Sequence, residues 1–218
     1  MSKKYELTGE TKVNGVPIHR IRALRDIKRY GVKAGDLGGW VEDEGNLSQD
    51  SDAWVADEAQ VYGGAKVYGD AQVSGNAHVS GKVWVYGDAH VSGNAQVYGG
   101  AKVYGNAQVY GNAQVYGDAH VSGNAQVSGN AHVCGDAQVC GDARIGNSGD
   151  YMVIKNCWSS MRWCTYTRSN KTWAVGCFLG MGEELIKKAY ADSELSGKCY
   201  EAIVKATEAI YAAKERYN

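Results

Sequence analysis

Residues 71–94 read AQVSGNAHVSGKVWVYGDAHVSGN, four hexads in which valine returns at 73, 79, 85 and 91 and glycine follows two positions after each. The beat runs back to Val55 and forward to Val139, and Ile145 closes it, so an aliphatic residue stands at sixteen positions six apart without a slip. Two residues before each comes alanine, from Ala53 to Ala143, with Val83 the one larger occupant. The unit is V-x-G-[DN]-A-x.

Two residues apart in an extended chain, the alanine and the valine point to the same side while their neighbours point to the other, so A-x-V reads as a very short strand. The following G-[DN] pair tolerates the positive φ that a sharp corner requires. A helix is excluded: glycine every six residues would cost about 1 kcal/mol each, and residues six apart do not share a helical face. Short strands with regular corners and only Val and Ala for filling predict a narrow three-sided parallel β-helix of eighteen residues per coil. Sixteen hexads make about five coils, a prism roughly 25 Å long at ~4.8 Å per layer. A coil in isolation has no partner for its backbone, so the stack stands or falls together.

V-S-G-N-A-H at 73–78 and V-Y-G-N-A-Q at 109–114 resemble the signature of the hexapeptide-repeat, left-handed β-helix family, and the left hand is implied by that resemblance alone. The entry Gly35-Asp36-Leu37-Gly38-Gly39-Trp40-Val41, with Asn46-Leu47-Ser48, resembles the YdcK-like hexapeptide proteins and relatives common in phages and prophages. In that phage group a small terminal domain carries G-C-F-x-G, which stands here as Gly176, Cys177, Phe178, Leu179 and Gly180.

Open solenoid ends expose unpaired strand edges and need covers. Residues 1–40 are expected to form an N-terminal β cap, a hairpin over 4–24 turning at Asn14-Gly15. Residues 41–146 form the β-helix, and 147–218 an α+β domain with three strands (151–158, 161–167, 172–178) and two helices (about 183–190 and 198–216). Tyr200, Ile203, Val204, Thr207, Ile210 and Tyr211 would share the buried face of the second helix.

The opening MSKKYELTGE is polar and no apolar run approaches the ~18 residues of a membrane span, so a cytoplasmic chain without a membrane partner is expected. The six cysteines lack metal-ligand spacing and read as reduced thiols; no metal or cofactor is expected. Net charge is −1, yet residues 1–40 carry +5 and residues 41–58 carry −7, adjacent blocks that should neutralise one another. Arg20, Arg22, Arg25, Lys28 and Arg29 offer a short basic patch, which makes nucleic acid a weak alternative partner.

An eighteen-residue stack sorts the outward residues into three faces. The first carries Tyr62, Ser80, Tyr98, Tyr116 and Cys134 beside Gln60, His78, Gln96, Gln114 and His132. The second carries Tyr68, Tyr86, Tyr104, Ser122 and Cys140 beside Lys66, Trp84, Lys102, His120 and Gln138. The third carries Ser74, Ser92, Tyr110 and Ser128 beside Gln72, His90, Gln108 and Gln126. Lys66, Tyr68, Trp84, Tyr86, Lys102 and Tyr104, with Tyr62, Tyr98 and Tyr116, are the candidate partner-binding residues: flat aromatic surface among cations suits a protein, a sugar or a base, and equally suits cross-coil packing.

No catalytic motif stands out. Hexapeptide acyltransferases use a histidine base, and His78, His90, His120 and His132 are candidates, but all four occupy a slot that Gln, Lys, Arg and Trp also fill, and no insertion between 53 and 145 walls a pocket. The expected function is therefore a non-catalytic, phage-type accessory scaffold in the host cytoplasm. It would bind a protein partner or self-associate as a dimer or trimer, in assembly or as an inhibitor of a host defence protein. The alternatives are an acyltransferase-like enzyme using acyl-CoA and a nucleotide- or sugar-sequestering module.

Overall fold

The computed structural model describes residues 3–216, in two compact units, one ending at Ser148 and the other beginning at Gly149. In the first, strands β1 (Tyr5–Asn14) and β2 (Val16–Ala23) form the expected hairpin, reversing at Gly15 with φ +75°. Strand β3 (Leu37–Val41) pairs antiparallel with β2 and parallel with Gln60–Val61. Sixteen two-residue strands follow, from β4 (Trp54–Val55) to β19 (Arg144–Ile145), each ending on the aliphatic residue of its hexad.

These strands build three parallel ladders in strict i to i+18 register, with Val61 beside Val79, Val67 beside Val85 and Val73 beside Val91. Backbone bonds link the coils directly: Tyr86 N–H donates to Val103 O (3.0 Å) and Asp88 N–H to Gly105 O (2.8 Å). Every valine of the series, its alanine partners, Val83 and Ile145 are 0–1% exposed. The corners need glycine twice over. Gly87 has φ +71°, and a Cβ there would sit 3.0 Å from the nitrogen of Gly105 one coil on.

The coil count corrects the sequence reading from five to about six. Leu37–Val41 lies in the first ladder and Leu47 bridges Val67 in the second, so the first coil is assembled from residues that carry no hexad signal. Leu37–Val41 is thus the first rung of the coil, and hairpin and coil share one compact unit.

That first coil must deal with carbonyls that have no preceding strand to pair with. Trp40 N–H takes Ala59 O (2.9 Å), Ser48 N–H takes Val67 O (2.9 Å), and the Asn46 amide donates to both Gly63 O and Ala65 O (2.9 Å each). In the third ladder no strand precedes β4, and Lys4 Nζ donates to Ala53 O (2.6 Å) and Ser51 O (2.9 Å). Lys4 is wholly buried. Burial, then the charge of Arg25, holds its amine down at about 8, with Asp52 and Asp50 opposing. The Tyr5 hydroxyl donates to Leu47 O (2.8 Å), and burial followed by Glu44 pushes its ionisation upward.

The opposite charge blocks meet as expected. Glu58 binds Arg20 (2.6 Å) and Lys12 (3.1 Å), Lys3 binds Glu44 (2.7 Å), and Arg25 approaches Asp52 (3.4 Å). The Arg20 hydrogen bond, joined by Lys12 and Trp40 against the effect of burial, brings the Glu58 carboxyl down to about 2. Of the basic patch offered to nucleic acid, Arg20, Arg22, Arg25 and Arg29 are each held by a carboxylate.

The second unit is an antiparallel sheet of four strands in chain order, β20 (Tyr151–Lys155), β21 (Trp163–Thr167), β22 (Thr172–Val175) and β23 (Phe178–Met181), then helices α1 (Gly182–Asp192) and α2 (Glu194–Arg216). Three strands were expected. The fourth arises because the chain reverses at Gly176 (φ +59°) and Cys177, pairing Phe178 with Val175. Tyr166, Trp173, Leu185, Tyr200, Val204 and Tyr211 form its core. On α2, Tyr200, Val204, Thr207 and Tyr211 are buried at 4-3-4 spacing, whereas Ile210, expected with them, lies off that line and is 52% exposed.

Two stability predictions follow from the coil. Gly105→Ala combines a positive-φ penalty of about 1–2 kcal/mol with crowding against Gly123, and urea unfolding should show at least that loss. For Lys4 the unfolded chain holds more protons than the folded one between pH 8 and the ordinary 10.5, so wild-type stability rises with pH from 8. Urea midpoints across that window should climb in the wild type relative to Lys4→Met, which orphans two carbonyls at about 1–3 kcal/mol; parallel curves would contradict the assignment.

Candidate functional site

Strict register turns the outward slots into columns. On the second face Trp84 lies directly between Lys66 and Lys102. Lys102 Nζ stands 5.5 Å from the centre of the Trp84 ring, and Tyr68 meets the indole edge-on at 6.4 Å. One slot along, Tyr68, Tyr86 and Tyr104 stack with centroids 5.0 Å apart and ring planes within 3° of parallel. A ladder rising ~4.8 Å per layer leaves neighbouring rings this one close-packed choice. Burial makes the Tyr68 and Tyr86 hydroxyls harder to ionise, with Tyr104 and Tyr68 adding to the effect at Tyr86. The tyrosine rings are half-buried, while Trp84 is 42% exposed and Lys66 is exposed.

On the first face Tyr98 and Tyr116 stack at 5.0 Å. Tyr62 takes no part in that stack, since Ser80 occupies the coil between. The structure therefore brings six of the nine candidates, Lys66, Tyr68, Trp84, Tyr86, Lys102 and Tyr104, into one patch, and leaves Tyr62, Tyr98 and Tyr116 on another face.

The four histidines do not converge. His78 and His132 belong to the first ladder, His120 to the second and His90 to the third. Burial lowers the basicity of His78, with Lys12 adding, and of His120, with Lys102 adding.

No insertion interrupts the coil between 53 and 145, but a segment that precedes the hexads walls a cleft. Residues 26–36, including a short 3₁₀ turn at Lys28–Tyr30, reach the third face, where Arg29 pairs with Asp70 and Asp88 and the Tyr30 ring meets His90 edge-on at 6.3 Å. A cleft of about 490 Å³ is lined by this segment and the coil, and none of the four histidines lines it. In the second unit Cys177 of the G-C-F-x-G element borders a smaller cavity of about 130 Å³, together with Arg162, Lys188 and Tyr200. All six cysteines are free thiols, and among the described residues no group of three or more His, Cys, Asp or Glu could hold a metal ion. No described helix is long and apolar enough to cross a membrane.

A family model described as the YdcK β-solenoid repeat matches residues 71–87, 101–117, 107–123 and 113–129. No curated protein matches the chain significantly. Those matches fall on the hexads whose valines fill the coil, and together with about six turns of parallel ladder they make this coil similar to the YdcK-type hexapeptide-repeat β-solenoid.

Proposed function

We propose that the protein is a non-catalytic binding scaffold whose second face recognises another protein or a second copy of itself. The observation that carries this reading is the Trp84 side chain, 42% exposed beside a stacked tyrosine column and flanked by lysines above and below. Packing accounts for the half-buried tyrosines, which cover one another. It does not account for an indole left open to water in a slot that Gln or Lys fills in most other coils. Trp and Tyr give large rigid contact area at low entropic cost, which is why they anchor protein interfaces.

The likeness of the entry segment and of G-C-F-x-G to phage-encoded hexapeptide proteins supports the wider setting. In that setting the protein is an accessory factor acting in a host cytoplasm, as an assembly component or as an inhibitor of a host defence protein.

The double variant Trp84→Ser with Tyr86→Ser tests the face. Light scattering for native mass and affinity capture from host lysate should show loss of self-association or of specific partners. Unchanged mass together with an unchanged partner set would remove this face from function. Trp84→Ser alone should move stability by no more than about 0.5 kcal/mol, whereas Tyr86→Ser removes a ring from the middle of the stack and should cost about 1–2 kcal/mol, measured by urea unfolding.

A further inference from the structure

The segment over residues 26–36 is fastened to the coil at several points. Ile27 and Val32 close its turn (Ile27 N–H to Val32 O, 2.9 Å), with Gly31 at φ +69°. Arg29 spans two carboxylates stacked one coil apart, Asp70 (3.4 Å) and Asp88. The Tyr30 hydroxyl donates to Asp70 O. What these contacts leave open, between the segment and the third face, is the cleft of about 490 Å³. That size falls in the ~300–1,000 Å³ range of small-molecule sites.

Its lining is chemically specific. The lining is mostly polar: Asp36 and Asp57 contribute carboxylates, Gln72 an amide and Ser74 a hydroxyl, with Tyr30 and Leu37 among the few residues that add apolar atoms. Asp57 is unusual. Of the fifteen corners from 57 to 141 it alone lacks glycine, yet it keeps the left-handed backbone, φ 55°, and its carboxylate accepts the Gly75 N–H at 2.9 Å. The coil departs from its glycine rule at the corner that borders the cleft. Asp36 accepts the Lys33 N–H at 2.7 Å. Among the described residues no lysine or arginine lines the cleft, and Arg29 nearby is bound to Asp70 and Asp88.

Two carboxylates with no lining cation repel phosphate and carboxylate ligands, acyl-CoA and nucleotides included. Gln72 and Ser74 both donate and accept, so the lining asks for a ligand that can do both. We propose that this cleft binds an uncharged saccharide: its hydroxyls donate to Asp36 and Asp57 and exchange bonds with Gln72 and Ser74, and a C–H face lies against Tyr30. This site is separate from the second face and stands whether or not that face binds protein.

Saturation-transfer NMR and calorimetry on the full chain test it, with glucose, galactose, mannose, N-acetylglucosamine and their disaccharides as probes and spermidine and ATP as charged comparisons. At least one saccharide should bind saturably and ATP should not. Asp57→Gly restores the residue every other corner carries, so it should melt as the wild type does while affinity falls by about tenfold or more. Gln72→Ala should fall comparably, and Arg29→Ala, which unfastens the wall, should weaken binding too. Absence of saccharide binding at millimolar concentration, binding unchanged in both Asp57→Gly and Gln72→Ala, or binding of spermidine in place of the sugars would each overturn the proposal.

Discussion

Residue i lies beside residue i+18 in every ladder, and this register governs the molecule. It sets each slot beside the same slot of the next coil, so a column works best with residues that can neighbour their own kind. Valine and alanine do so inside. Outside, asparagine does so because its amide both donates and accepts: Asn76, Asn94, Asn112 and Asn130 form a head-to-tail column at 3.1–3.2 Å. Aspartate cannot repeat that trick, being acceptor-only. Where Asp70 and Asp88 fall in consecutive coils, Arg29 is brought in to bridge them. Asp142 appears at the end of a column, receiving the Asn124 amide at 2.9 Å, where only an acceptor is wanted.

The same register makes the start of the stack the difficult place. A parallel ladder can be lengthened indefinitely but never closed, and its first layer shows bare carbonyls. The chain solves this three different ways: a strand with an antiparallel hairpin behind it on the first ladder, the side-chain amide of Asn46 on the second, and the buried amine of Lys4 on the third. The charged residues crowded into the first sixty positions follow from this. Their ion pairs hold the hairpin and the first coil together, and surface pairs of that kind are individually weak, so it is Lys4, Asn46 and the apolar side chains of Ile18, Ile21 and Trp54 that close the end.

The core and the faces were legible in the sequence because period six encodes local shape and distant contact at once. Knowing that Val61 is in a strand also says that it touches Val79. Legibility stopped where the period did. The first coil, from Leu37–Val41 and Leu47, has the right residues inside without glycine corners at regular spacing. The fourth strand of the second unit hid in G-C-F-x-G because the turn there is only Gly176 and Cys177. The contact of Arg29 with Asp88 spans 59 positions with no repeat to announce it, so the cleft beneath residues 26–36 lay beyond pattern reading. The six-residue patch around Trp84, by contrast, was given by the stacking rule alone.

Periodicity also constrains what such a protein can do chemically. A catalytic centre needs unlike groups converging on one point, whereas a regular coil lays similar groups along lines, and its histidines fall on three different faces. Specific chemistry therefore has to enter where the pattern fails. This chain has few such places within the hexads: Val83 and Trp84 in successive irregular slots, and Asp57 at a corner meant for glycine. The first lies under the exposed aromatic patch and the second beside the cleft that residues 26–36 wall. Val83 still packs at 0% exposure and Asp57 still holds the left-handed corner, so neither departure relieves a packing problem. Trp84 and Asp57 alter only the outer surface, the part of the coil to which the proposed binding roles are assigned.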